Sequence, residues 1–194
     1  MRSVSVNPAI RALLVLVVVA MVAPALDFSY TAVISGSSPR WARPVDPTPS
    51  NPNDVTPPTT IASGGTGGNV GYHLFSFIPT ITGIYTIISN ANAPNWDNYI
   101  VLYRNSFNPA TPLVNAMGAN DDYPVFGNVV GISRLNNVAL TAGTTYFLVT
   151  TGYLNSSQGS ASNSITQVVP EPGTYALVGL ALAAMGVWGR RSRG

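Results

Sequence analysis

The sequence predicts an all-β protein: an antiparallel β-sandwich or jelly roll of about eight strands, flanked by an N-terminal signal helix and a C-terminal transmembrane helix. Three observations predict it. Short runs of β-branched and aromatic residues recur between clusters of Gly, Pro, Asn and Asp, as in strands joined by turns. No stretch between the termini sustains a helical apolar period. Each terminus carries an uncharged apolar run bordered by Arg.

At the N-terminus, Arg2 and Arg11 precede residues 12–23 (ALLVLVVVAMVA), the charged and apolar regions of a secretory signal peptide. This run is shorter than the ~20 residues of a comfortable membrane span, and Pro24 ends it. Ala23 and Ala25 place small residues where signal peptidase reads, so cleavage is expected after Ala25, leaving a domain at 26–169. Strands are expected at 28–34, 71–78, 83–89, 97–104, 113–117, 129–135 and 144–151, with an eighth through 164–168. Residues 35–60 have the Pro- and Asn-rich composition of a linker. Trp41 favours instead a docked, proline-stiffened crossing of the domain surface.

In 97–104 (DNYIVLYR), alternation sets Tyr99, Val101 and Tyr103 on one side and Asn98, Ile100, Leu102 and Arg104 on the other. Ile100 and Leu102 are expected to face the core. The tyrosines either pack beneath a loop or a neighbouring sheet, or form an exposed strip suited to stacking on sugars.

Charge and composition remove whole classes of chemistry. Five of the nine Arg lie in the terminal segments, and 26–169 holds four Arg against six Asp, a balance of −2. The clustered basic surface that nucleic-acid binding requires is missing. With no Cys, no Lys, one His (His73) and one Glu (Glu171), the chain lacks the atoms for thiolate nucleophiles, disulfides, Schiff bases, a phosphate-loop lysine or a zinc site of several His and Cys. His73 lies in a strand-like stretch and reads as structural; the glycines of 63–71 (SGGTGGNVG) read as a flexible turn. A domain of this size buries about 70% of its unfolded surface and needs no covalent staples.

The order GYHLFSFIPTITGIYTIISNA, WDNYIVLYRNSFNPATPLVNAMGANDDY and SRLNNVALTAGTTYFLVTTGY, over residues 71–153, resembles bacterial pre-peptidase C-terminal domains. The resemblance implies a small β-sandwich on an exported protein, of a kind often accessory to an enzyme, with calcium held by some collagen-binding relatives. No protease domain precedes this copy, so such a role within the same chain is not expected.

Asp97, Asn120, Asp121 and Asp122 form the candidate metal site. Calcium takes 6–8 oxygens from carboxylates, amides, carbonyls and water; the same residue types also stabilise tight turns by bonding their own backbone. No cofactor is required by the sequence, and calcium is the one it could hold. Trp41, Trp96 and Tyr123 are the candidate glycan-binding aromatics.

The C-terminus reads VPEPGTYALVGLALAAMGVWGRRSRG. Pro170 and Pro172 end any strand or helix. Residues 173–189 are uncharged and as a helix would reach about 25 Å against a hydrocarbon core of about 30 Å. Trp188 falls at the interface, and Arg190, Arg191 and Arg193 are expected to stay cytoplasmic, leaving the domain outside. The motif, apolar helix and basic end together resemble the PEP-CTERM sorting signal of Gram-negative bacteria. The resemblance implies recognition through Pro170, Glu171 and Pro172 and cutting at or near them by an exosortase.

The expected partners are signal peptidase and exosortase during export, the inner membrane transiently and an exopolysaccharide, with no nucleic acid. The expected product is an exported, non-enzymatic protein of the cell surface or the extracellular, biofilm-associated matrix. A carbohydrate-binding or calcium-ordered adhesion module is the alternative, and hydrolysis by a pair of Asp a distant third.

Overall fold

The computed structural model describes residues 27–47, 51, 53, 55–93, 96–123, 131–169 and 179. The predicted signal peptide, most of the transmembrane segment 173–189 and the motif residues Pro170, Glu171, Pro172, Arg190, Arg191 and Arg193 lie outside them. Among the described residues no helix is long and apolar enough to cross a membrane. The body of the chain, Ala25–Val168, is a compact unit separate from the two termini.

The body is all-β, with nine strands among the described residues: β1 (Asp27–Ile34), β2 (Arg40–Trp41), β3 (Val70–Phe77), β4 (Gly83–Ala91), β5 (Asn98–Arg104), β6 (Ala116–Asn120), β7 (Ile132–Leu140), β8 (Tyr146–Gly152) and β9 (Gly159–Gln167). They form two antiparallel sheets, ordered β1-β9-β4-β7 and β2-β3-β8-β5-β6. Inward side chains from both sheets, among them Tyr85, Ile87, Ile100, Leu102, Leu135, Leu148 and Ile165, make the central core. Tyr103, Val101 and Tyr99, on the other side of β5, are equally buried.

The reason is the segment between β1 and β3. Arg43 N donates to Gly67 O and Ala62 N to Arg43 O, so 43–67 folds back as a strap held to itself by backbone bonds. Trp41 tilts against Tyr72 and Tyr103, with ring centroids 5.6 and 6.3 Å away, and Phe107 closes edge-on over Tyr103 at 5.0 Å. A second apolar layer thus lies on the outer face of the five-stranded sheet. The tyrosines pack beneath a loop, and no exposed aromatic strip forms. Tyr103 Oη remains satisfied, donating to Pro112 O at 2.6 Å.

Several strand bounds depart from expectation. β7 runs through Asn136 and Asn137, because its pairing with β4 jumps from Tyr85↔Val138 to Ile87↔Leu135 and Asn137 takes a left-handed φ of 56°. The Asn pair that reads as a strand end is a bulge inside a strand. β6 begins three residues later than expected, after Asn115 turns the chain at φ 65°. β9 (GSASNSITQ) is longer and more polar than a central strand usually is, and the two-residue β2 has no sequence signal of its own.

The registers fix two poles. Asp27 pairs with Thr166, Tyr85 with Gln167, Gly83 with Leu140, and Tyr146 with both Phe77 and Arg104. The loops 78–82, 105–115 and 141–145 therefore share one end of the body with Val168; this is the tail pole. The chain before β5, the chain after β6 and the turn after β8 share the other, the far pole. The interior towards the far pole is polar: Asn98 Nδ2 donates to Ser89 Oγ at 2.7 Å, Ser133 Oγ to Asn98 O at 2.9 Å, and Thr150 Oγ1 to Asn163 Oδ1 at 3.2 Å.

Candidate metal centre and adjoining cleft

Asp97 immediately precedes β5, and Asp121 and Asp122 immediately follow β6. The two strands are antiparallel neighbours with Ile100 opposite Asn120, so the entry to one and the exit from the other adjoin. One ligand oxygen from each of the three aspartates lies within 4.8 Å of the others. Asp97 Oδ1, Asp121 Oδ1 and Asp122 Oδ1 are buried without hydrogen-bond partners.

The electrostatics follow from that crowding. Burial and then the Asp122 charge push the Asp97 carboxyl up to about 6, against the pull of Arg43 and a hydrogen-bonding contact with Asp121. Asp121 is pushed up to about 8 by burial and then by Asp97 and Asp122, again opposed by Arg43. Burial raises Asp122 as well. Like charges at this spacing without a cation favour retained protons.

Asn120, expected beside these carboxylates, is placed differently. It faces the sandwich interior with Ile100, fully buried, and its Oδ1 accepts from the Arg134 main-chain N–H at 2.8 Å. A β-strand alternates faces, and Asn120 is the last residue of one.

Arg43 is the neighbour that sequence reasoning missed. It is 3% exposed, with its guanidinium 4.1 Å from the Tyr99 ring centroid and 4.7 Å from that of Tyr153. Nη1 donates to Pro44 O at 3.2 Å, and Nη2 reaches Thr66 O and Tyr153 O at 3.4 Å. Only its place beside Trp41 in WARP hinted that it docks. An open cleft of about 350 Å³ adjoins, lined by Arg43, Asp46, Tyr99, Asp121, Tyr153 and Thr66 among others. Asp121 thus belongs to both the carboxylate cluster and the cleft.

The three candidate aromatics are dispersed. Trp41 is 4% exposed under the strap, and Trp96 is 5% exposed against Ile34 and Ala161. A Cβ on Gly159 would stand 2.6 Å from the Trp96 ring, so that glycine makes room for it. Neither indole offers a face to a sugar, because each fills an apolar gap. Tyr123 is half-buried with the Arg134 guanidinium 4.9 Å over its ring. His73 stacks on Tyr30 at 5.7 Å, and desolvation lowers its pKa.

Three carboxylates so close, with oxygens left unpaired, fit a hard cation such as calcium. They would supply three ligands or more, the rest coming from carbonyls and water. No curated protein matches the chain. Residues 168–193 match the model of the PEP-CTERM protein-sorting motif. The chain therefore carries this sorting motif at its C-terminus and is an exported protein, processed at the membrane by exosortase for delivery to the surface.

Proposed function

We propose that the protein is a non-enzymatic component of the cell surface or exopolysaccharide matrix of a Gram-negative bacterium. In this reading, calcium on Asp97, Asp121 and Asp122 orders the far pole of a sandwich akin to pre-peptidase C-terminal domains. Signal peptidase removes 1–25, residues 173–189 cross the inner membrane until exosortase cuts, and Arg190, Arg191 and Arg193 hold the crossing from the cytoplasmic side. The observation that carries this is the pairing of a sorting motif at 168–193 with a body whose unpaired carboxylates gather at one place. Calcium there neutralises repulsion and ties two loops, acting on stability by mass action.

The cleft favours a second reading, in which the same pole binds a polysaccharide. Its volume is about 350 Å³, within the usual range of ligand sites, and Thr66, Asp121 and Tyr153 line it where they are not fully buried. Exposed tryptophans have no part in it.

Two measurements test the proposal. Calorimetric titration of calcium into the signal-processed chain should give heat that Asp121→Asn removes; no heat and no calcium-dependent rise in Tm would discard the metal. Intact mass spectrometry of protein from the native host should show a chain beginning near residue 26 and ending near Pro170, with the tail retained when exosortase is deleted. Turnover of a glycan that Asp121→Asn abolishes would overturn the non-enzymatic reading.

A further inference from the structure

The tail pole differs in kind from the far pole. Its loops 78–82, 105–115 and 141–145 contain no charged residue, and only Asp27 and Arg104 stand at strand ends there, whereas Asp97, Asp121, Asp122, Arg40 and Arg43 gather at the other end. It also carries large apolar side chains open to solvent: Ile78 at 51% exposure, Ile84 at 41%, Val114 at 56% and Val168 at 50%. Ile84 and Val168 are neighbours across the sheet, since Val168 N donates to Ile84 O at 2.7 Å. Large apolar side chains are exposed elsewhere on the body too, Val33 at 57% and Ile61 and Leu154 at 43%, so what sets this pole apart is its uncharged loops and the short tether that leaves it.

The length of chain beyond it says what it meets. Backbone bonding holds the chain to the sandwich as far as Val168, and the apolar run begins at Gly173. The four residues 169–172 between Val168 and Gly173 make five Cα steps, which reach at most about 18 Å even when fully extended. If 173–189 crosses the membrane, as proposed above, the tail pole is confined to the neighbourhood of the headgroup layer, itself about 5–8 Å deep on each face.

We propose that, before the tail is cut, the tail pole of the sandwich seats Ile78, Ile84, Val114 and Val168 in the lipid headgroup boundary. The occupant is the outer face of the membrane that holds the tail. Shallow insertion of a few apolar side chains gives weak affinity alone, and the short tether supplies the effective concentration that makes it sufficient. Arg104, exposed at the end of β5 on this pole, adds attraction to anionic lipid. Exosortase would then meet its motif beside a docked domain held close to the bilayer.

Because the chain has no Cys, single nitroxide labels can be placed without background. The signal-processed chain, reconstituted into vesicles of phosphatidylethanolamine and phosphatidylglycerol, would be labelled separately at Ile78→Cys, Val114→Cys, Ser37→Cys and Leu180→Cys. Power saturation should show labels at 78 and 114 shielded from a water-soluble nickel complex and accessible to oxygen, the label at 37 open to nickel, and the label at 180 deep in lipid. Labels at 78 and 114 as open to nickel as that at 37, with 180 still in lipid, would overturn docking and leave the crossing intact. A label at 180 open to nickel would overturn the crossing and the docking together. Positions 78 and 114 are more than half exposed, so these substitutions spare the core.

Discussion

Asp121 is where residue chemistry most directly governs the behaviour of the molecule. Its carboxyl titrates near 8 and that of Asp97 near 6 in the folded protein, against about 4 in an unfolded chain. The folded state therefore binds more protons, and the cluster's contribution to stability is lost as pH rises from about 4 to about 8. Without metal, the Tm of the signal-processed chain is expected to fall across that window. Saturating calcium should flatten the fall and release protons into a weakly buffered solution. At a hundredfold excess over Kd the added stability is about 2.7 kcal/mol. Asp121→Asn should raise the metal-free Tm at neutral pH and remove the calcium increment, both readable by calorimetry. Trp41→Ala carries the opposite expectation: a loss of about 3–5 kcal/mol from an emptied apolar site, with no dependence on added glycan. Gly67→Ala should also weaken the strap, since Gly67 sits at φ 105° and a Cβ there would meet Arg43 Nε at 2.5 Å; urea unfolding would measure both.

Elements differ in how much they announce themselves. β3, β4, β5 and β8 were legible because they are dense in aromatic and β-branched residues, and a strand that buries both faces must be apolar on both. β5 buries six of its seven residues. β9 was only partly legible: Gly159 to Asn163 lack those residues, yet they lie between β1 and β4, where ladder bonds and the small buried Ala161 matter more than propensity. Asn137 misled because Asn supports turns and bulges alike. Asp97, Asp121 and Asp122 were legible as a set from their residue types, whereas Arg43 was not, because sequence distance hides a contact made by a folded strap. Leu148→Ala, in the centre of β8, should cost about 2–5 kcal/mol. Leu154→Ala, 43% exposed in the turn after it, should stay within about 0.5 kcal/mol; chemical denaturation of the two variants checks the difference.

At the scale of the body, Ala25–Val168, the two poles differ in what they carry. The cleft and the three clustered carboxylates sit at one, and the end of β9 at the other, separated by the length of β9, about 26 Å at a strand's rise per residue. An ion or glycan held at the far pole, as proposed above, would therefore lie at the end of the sandwich opposite the one where β9 finishes. The central position of β9 bears on what happens when such a surface is pulled. β9 is laddered along its length by β1 on one side and β4 on the other, and it leads straight into the sorting motif. A force between the far pole and the C-terminal attachment would run parallel to the strands. It would load the hydrogen bonds of both ladders in shear, so that they must break together. Unzipping them one pair at a time would need a pull across the strands, which a load applied through the C-terminus would not provide. A chain held through its C-terminus would thus load the sandwich in its mechanically resistant direction.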